Sequence, residues 1–259
     1  MSGINSNPVV ASLVAKPRDV LLIGMSGIGK TRLSRHLTSC GTWRYVSIDA
    51  EIQSRHLREE LLLAFDAKNN QRCDFSQLRE RDPLSLELET DPDSLALLTA
   101  YLGMPGDPSK GGLEFAEYVR RQEAHRQAEQ RAIKDLVVLG TTQPVLVDAS
   151  GSFCEVFQAD DPVLDCLQER FMFVSLREND ALISFLIERF KVQPKPIYYP
   201  PDLLAQYWEE YAQTYAVAPH RVDPEGFALW AYEKLVATRR AKYAALAKRS
   251  DASINAADL

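Results

Sequence analysis

The stretch Gly24–Thr31, "GMSGIGKT", has the spacing G-x-x-x-x-G-K-[ST]. Glycines at those intervals let backbone N–H groups turn inward on an anion, and a lysine followed by a hydroxyl residue adds a cation and a hard oxygen ligand. Such a loop wraps a phosphate chain. Lys30 would reach the β- and γ-phosphates, Thr31 would ligate Mg²⁺, and the positive end of a helix starting near Lys30 would add to the attraction. The residues expected to touch ATP are Gly24, Ser26, Gly27, Ile28, Gly29, Lys30, Thr31 and Arg32.

Two aspartates end apolar runs elsewhere. Asp148 closes "PVLVD", with Gly151 three residues on. A carboxylate there fits a Mg²⁺-orienting role beside Thr31, and Gly151 would offer its backbone N–H to a γ-phosphate or an acceptor. A strand-end aspartate can equally cap the next helix. Asp49 ends "WRYVSI" and carries the same two readings: a group that orients or deprotonates an acceptor hydroxyl, or an N-cap. Farther on, "ERFKVQPKPIYY" contains Arg189, Lys191 and Lys195 in a proline-rich segment. This reads as a lid over 189–201 that closes cations, Lys191 and Lys195 among them, over the phosphates; a solvated connection is the alternative.

These residues need a scaffold that brings strand ends together. "DVLLIG", "WRYVSI", "PVLVD" and "RFMFVSL" read as strands separated by helical stretches, which predicts a three-layer α/β/α domain with a parallel sheet. A last short strand is expected in "YAVAPHRV", and a final helix runs from Asp223 to about Lys248. Residues 1–17 read as a flexible tail, 18–248 as the domain, 66–112 as a mainly helical insertion and 249–259 as a second tail. Within the insertion, "GMPGDPSKGG" follows no strand and reads as a flexible loop. Tyr207, Trp208, Tyr211 and Tyr215 fall at helical spacing and read as core.

Composition narrows the class. A formal net charge of −6 argues against a nucleic-acid partner. No apolar run is long enough to span a bilayer, and the first twenty residues lack a signal peptide's basic region. Cys40, Cys73, Cys154 and Cys166 form no C-x-x-C pair, and the four histidines show no metal-ligand spacing, so a cytoplasmic location with reduced thiols is expected.

In this order of motifs the chain resembles the shikimate kinase family, within the nucleoside monophosphate kinase-like group. The likeness rests on the glycine-rich loop, the Asp49–Ile52 segment, Val119, Arg120 and Glu123, the "DASGS" turn, Lys195-Pro196, and "YWEEYA" followed by "RVDPEGFALWAYEKL". It implies a P-loop kinase fold, ATP and Mg²⁺ as cofactors, Arg120 as an anion contact for the acceptor, Asp49 and Gly151 beside that acceptor, and His220 and Arg221 flanking adenine. The chain departs where that family has three glycines (Ala149, Ser150 and Gly151 here), a lid arginine (Lys195), an acceptor-binding arginine before "YWEEYA", and a shorter insertion. The expectation is therefore a small-molecule kinase whose acceptor half has been rebuilt. An ATPase or nucleotide switch whose insertion binds a protein, and a regulator without turnover, are the other readings.

Overall fold

The computed structural model describes residues 3–41, 43–69 and 95–259. Five strands form one all-parallel sheet: β1 (Val20–Ile23), β2 (Arg44–Ser47), β3 (Val145–Asp148), β4 (Met172–Arg177) and β5 (Ala252–Asn255), in the order β2-β3-β1-β4-β5. β1 and β3 are buried at every position, as strands covered on both faces must be.

Seven helices of eight residues or more surround the sheet among the described residues: α1 (Pro8–Ala15), α2 (Lys30–Cys40), α3 (Arg58–Asn69), α4 (Phe115–Val138), α5 (Asp180–Val192), α6 (Pro201–Thr214) and α7 (Pro224–Ala247). The chain moves from β1 toward the β2 edge but from β3 and β4 toward the β5 edge. Right-handed crossovers therefore put α2 on one face and the helices after β3 and β4 on the other. α1 packs on α2 and reaches β5, whereas α4 packs on the short helices Phe153–Val156 and Pro162–Gln168. The connections from β1 and β4 diverge, so a ligand crevice is expected at the carboxyl ends of this pair, where the glycine-rich loop sits.

The helices beyond the sheet share a second aromatic core. Tyr118, Tyr199, Leu204, Tyr207, Trp208, Tyr211 and Phe227 bury against one another, so Tyr207, Trp208 and Tyr211 pack as expected. Tyr215, read as core, instead ends α6 as its C-cap and is exposed, because the chain turns away there through Ala216. The insertion reaches this core from outside. Its stretch 70–94, over half of the expected helical insertion, lies outside the described residues. The loop after Leu102 is not loose: Gly106 N–H donates to Leu113 O at 2.8 Å, Asp107 N–H donates to Val222 O at 2.8 Å, and Lys110 pairs with Asp223 at 3.1 Å. These bonds fasten "GMPGDPSKGG" to the start of α7.

Both expected tails are structured. Asn7 caps α1 by accepting from Val9 N–H at 3.0 Å, Pro8 occupies the first turn, and Val10 and Leu13 bury one face in the core. At the other end β5 completes the sheet edge, pairing Val174–Arg177 with Ala252–Asn255. Asp251 prepares that pairing by accepting from Phe173 N–H at 2.8 Å. "YAVAPHRV" instead forms a left-handed turn at Ala216 (φ 50°) and the 3₁₀ turn Pro219–Arg221. Pro219, with its fixed φ and no N–H, sits in the middle of that stretch and denies it a strand. No helix among the described residues is long and apolar enough to cross a membrane.

Candidate functional site

The loop between β1 and α2 adopts positive φ at Gly24, Gly27 and Gly29 (153°, 84° and 107°), so residues with side chains are excluded where the backbone must curl. Gly27 also lies against the lid-side helix: a Cβ there would lie 2.5 Å from Arg189 Nη2 and 3.0 Å from Leu186 Cδ2, so the arginine's end would have to move aside. Lys30 is 7% exposed and donates to Gly24 O at 2.9 Å and Met25 O at 3.2 Å, which folds its ammonium back over the loop. Ile28 is buried under the loop, Ser26 and Gly27 form its exposed rim, and Arg32 is exposed on the first turn of α2.

Parallel pairing of β1 with β3 sets Leu22 opposite Asp148 and brings the second half of the site alongside. Thr31 Oγ1 donates to Asp148 Oδ2 at 2.9 Å, and Tyr45 OH donates to the same oxygen at 3.3 Å. Burial raises the Asp148 carboxyl above its ordinary value, while Lys30 and the Thr31 and Tyr45 bonds pull it back. One hydroxyl and one carboxylate form a sparse, all-oxygen donor set. That suits an ion such as Mg²⁺, which keeps most of its water; among the described residues no cluster of three His, Cys, Asp or Glu offers a full protein cage. The turn after β3 closes on the loop: a Cβ at Gly151 would lie 2.6 Å from Ser26 Cβ and 3.0 Å from Ser26 N.

Asp49 sits one residue past the N-cap Ser47–Ile48 junction, in the short helix Ile48–Glu51. Ser47 is the cap, accepting from Ala50 N–H at 3.3 Å, so Asp49 is not the capping residue. Its half-buried carboxyl is pushed up to about 6 by burial, with Asp148 adding to the rise and Lys30 and Lys195 opposing it. Asp49, Asp148, Lys30 and Lys195 thus share one electrostatic neighbourhood.

The cations of the 189–201 segment divide. Lys195 reaches the surface, yet the protein packed round it and the neighbouring Arg189 hold its ammonium below the ordinary lysine value, with Asp49 opposing. Lys191 does not face the loop; it pairs with Glu188 at 3.1 Å and Glu233 at 3.0 Å on the outside. Residues two apart on a helix point to nearly opposite sides, so Arg189 at the loop sends Lys191 away from it. Arg189→Ala is expected to raise the KM for ATP about tenfold in an ADP-release assay, and Lys191→Ala to leave it within twofold.

Two expected contacts lie elsewhere. Arg120 is 61% exposed and holds Glu117 through Nε and Nη2, both at 2.8 Å. The buried stripe of α4 runs through Tyr118, Gln122, His125 and Glu129, which turns Arg120 outward. His220 and Arg221 belong to the turn before α7, where Val222 bonds the Asp107 loop. The chain beside Gly29 is the segment after β5, whose Leu259 Cδ1 lies 3.4 Å from where a Gly29 Cβ would be.

Sequence reasoning passed over a buried polar group behind the β3 turn. Glu129, fully buried, accepts hydrogen bonds from Ser150 Oγ and, at 2.7 Å, from Ser152 Oγ. His125, 3% exposed, has no hydrogen-bond partner at Nδ1 and lies 4.0 Å from Glu129 Oε2. Burial lowers its pKa to about 4, so it is a neutral neighbour at pH 7. Glu155 meets Arg239 at 2.7 Å, and Arg239 also donates to Tyr198 O at 3.0 Å. The available signal was the spacing of Gln122, His125 and Glu129 on the same stripe as Ala132, Ile133 and Leu136. Comparison with protein-family models and with curated protein sequences finds no match for this chain.

Proposed function

We propose that this protein is an ATP-dependent phosphotransferase of P-loop kinase type, shikimate kinase-like in its nucleotide half, acting on the hydroxyl or phosphate of a small-molecule acceptor. The observation that carries the reading is the meeting of Thr31 and Asp148 at 2.9 Å beside a loop whose lysine, Lys30, immediately precedes Thr31. A chance glycine-rich turn has no reason to bring a hydroxyl and a buried carboxylate from another strand to its helix end.

In this reading the loop amides and Lys30 hold the phosphate chain, Thr31 and Asp148 hold Mg²⁺, and Arg189 and Lys195 cover the phosphates from the lid side. Bound Mg²⁺ supplies charge neutralisation on the phosphate oxygens. Phosphoryl transfer passes through a loose transition state, so the protein's main task is to align the acceptor and screen charge. Asp49 stands at the acceptor side. Its carboxylate accepts the acceptor's hydroxyl proton or fixes that hydroxyl in line.

The test is calorimetry with a nonhydrolysable ATP analogue with and without Mg²⁺, followed by a metabolite screen for phosphorylated product. Mg²⁺-dependent binding and one acceptor-dependent product are expected. ATP loss that no acceptor accelerates would select the hydrolase or switch reading over a kinase with slow background hydrolysis, and absence of nucleotide binding would sink both.

The carboxylates give a second test. Asp148→Asn is expected to weaken turnover in a manner that extra Mg²⁺ partly restores. Asp49→Asn is expected to cut phosphoryl transfer at least tenfold while ATP affinity stays within threefold. An acid whose pKa is raised to about 6 keeps its proton to higher pH, so wild-type activity should fall as pH drops through about 6. The Asp49→Asn profile should lack that limb. Loss of ATP binding in Asp49→Asn alone would reverse the two assignments.

A further inference from the structure

Gly151 approaches the loop so closely that a Cβ there would lie 2.6 Å from Ser26 Cβ, and the residues on either side of it are tied down from behind. Ser150 and Ser152 both donate to Glu129, while their own oxygens lie 3.2 Å apart. From α7, Tyr243 OH donates to Gly151 O at 3.1 Å. Ahead of the turn, Ala149 N–H donates to Leu22 O at 3.1 Å. The peptide that faces Ser26 is thereby fixed on three sides.

The carboxyl doing this sits in an expensive place. Glu129 has no exposed surface and, among the described residues, makes no ion pair with a lysine or arginine. His125 is neutral, and Arg239 is committed to Glu155. Burial pushes the Glu129 carboxyl up to about 7; the two seryl bonds pull it down, and Asp49 and Glu155 add to the rise. An apolar residue would cover the same stripe of α4 without that desolvation penalty. Side chains that oppose the local packing rule and serve only to pin a turn beside a reactive loop mark functional positioning.

We infer that Glu129 is a positioning residue: by taking the hydroxyls of Ser150 and Ser152 it holds Gly151 against Ser26, so that the turn is set before phosphoryl transfer begins. The inference rests on the phosphotransferase reading. Preorganised donors speed a reaction because they need not reorganise during it, and misplacement by about 1 Å can lower the rate about a hundredfold.

The experiment measures ADP release from Mg·ATP, with water as acceptor, and analogue binding by calorimetry. The proteins are wild type, Glu129→Gln, Glu129→Leu, Ser150→Ala/Ser152→Ala and the combination of the serine pair with Glu129→Gln. Glu129→Leu should lower kcat at least thirtyfold with the ATP KM within threefold. Glu129→Gln, which accepts from one serine but must donate to the other, should fall between. Because Glu129 acts through the serines, Glu129→Gln should have little further effect once both are alanine. A merely structural role predicts variants that melt earlier yet keep wild-type kcat below their melting temperature, and that result overturns the inference. So does an additive loss in the combined variant. A wild-type chain that neither binds nor consumes Mg·ATP overturns the phosphotransferase reading itself, an outcome seen before any variant is made.

Discussion

Lys30→Ala is expected to lower Mg·ATP turnover at least a hundredfold while the melting temperature changes by only a few degrees. Lys30 is buried, but among the described residues its ammonium hydrogen-bonds only the carbonyls of Gly24 and Met25, which belong to the loop and not to the core. A bound phosphate chain would draw the ammonium off those carbonyls. Losing a preorganised charge of this kind removes about 3 kcal/mol of transition-state stabilisation, and each 1.4 kcal/mol is about tenfold in rate. Lys30→Arg should not restore activity, because a planar fork does not fit where a point charge sits between two carbonyls at 2.9 and 3.2 Å. ADP release and analogue calorimetry on the same preparations check both statements. Turnover above one tenth of wild type in Lys30→Ala would remove the loop from the mechanism.

Arg239→Met is expected to produce the largest loss of stability of any single replacement considered. The Glu155–Arg239 pair joins the helix after the β3 turn to α7, with side chains 0% and 5% exposed. Arg239 meets one carboxylate oxygen through two nitrogens, at 3.0 and 2.7 Å, and leaves Oε1 of Glu155 without a partner. Removing the guanidinium strands a buried carboxylate, which typically costs about 3–5 kcal/mol. For a domain of this size that is roughly 10 °C in melting temperature.

The pH dependence has a definite sign. Without Arg239, burial is opposed only by the weaker pull of Lys242, and it lifts the folded-state pKa of Glu155 still further above the unfolded value, about 4.3. The folded state then holds a proton that the unfolded state has released, so the deficit grows as pH rises above that unfolded value and shrinks below it. Thermal melts at pH 4.5 and 7.5 check this. Replacing Glu155 by Leu in the same chain should recover part of the loss, since no uncompensated charge remains. A melt within 2 °C of wild type would show that the pair carries no net weight.

The central frame was legible because its signals are local. "DVLLIG" is an apolar run, the glycines mark the turn, and α2 starts where the lysine stands. "VLVD" is buried at all four positions. β5 was not legible: in "ASIN" only Ile254 is buried, and the strand is held by Asp251 and by a 2.6 Å contact between Ser175 and Ser253, neither of which a hydrophobic pattern records. α1 was hidden because an Asn-Pro pair reads as a turn until the helix behind it is seen. At the site, sequence named the cations of 189–201 but could not phase them, since helix direction decides between Arg189 and Lys191. Glu129 was lost in a run of charges, most of which pair at the surface, as Arg120 does with Glu117 and Arg126 with Glu123.

The distance along the chain between the two halves of the site has a consequence for biosynthesis. Thr31 and Asp148 are 117 residues apart, and Ser175 meets Ser253 across another 78. At translation rates of about 5–20 residues per second, β1 and its loop emerge roughly ten seconds before β3 exists to pair with them. During that interval an apolar strand waits without a neighbour, and parallel pairing over such separations is slow even for the finished chain. The strand that carries the glycine-rich loop is thus made well before the strands it pairs with, and Val20–Ile23 stays apolar and unpaired until β3 and β4 follow.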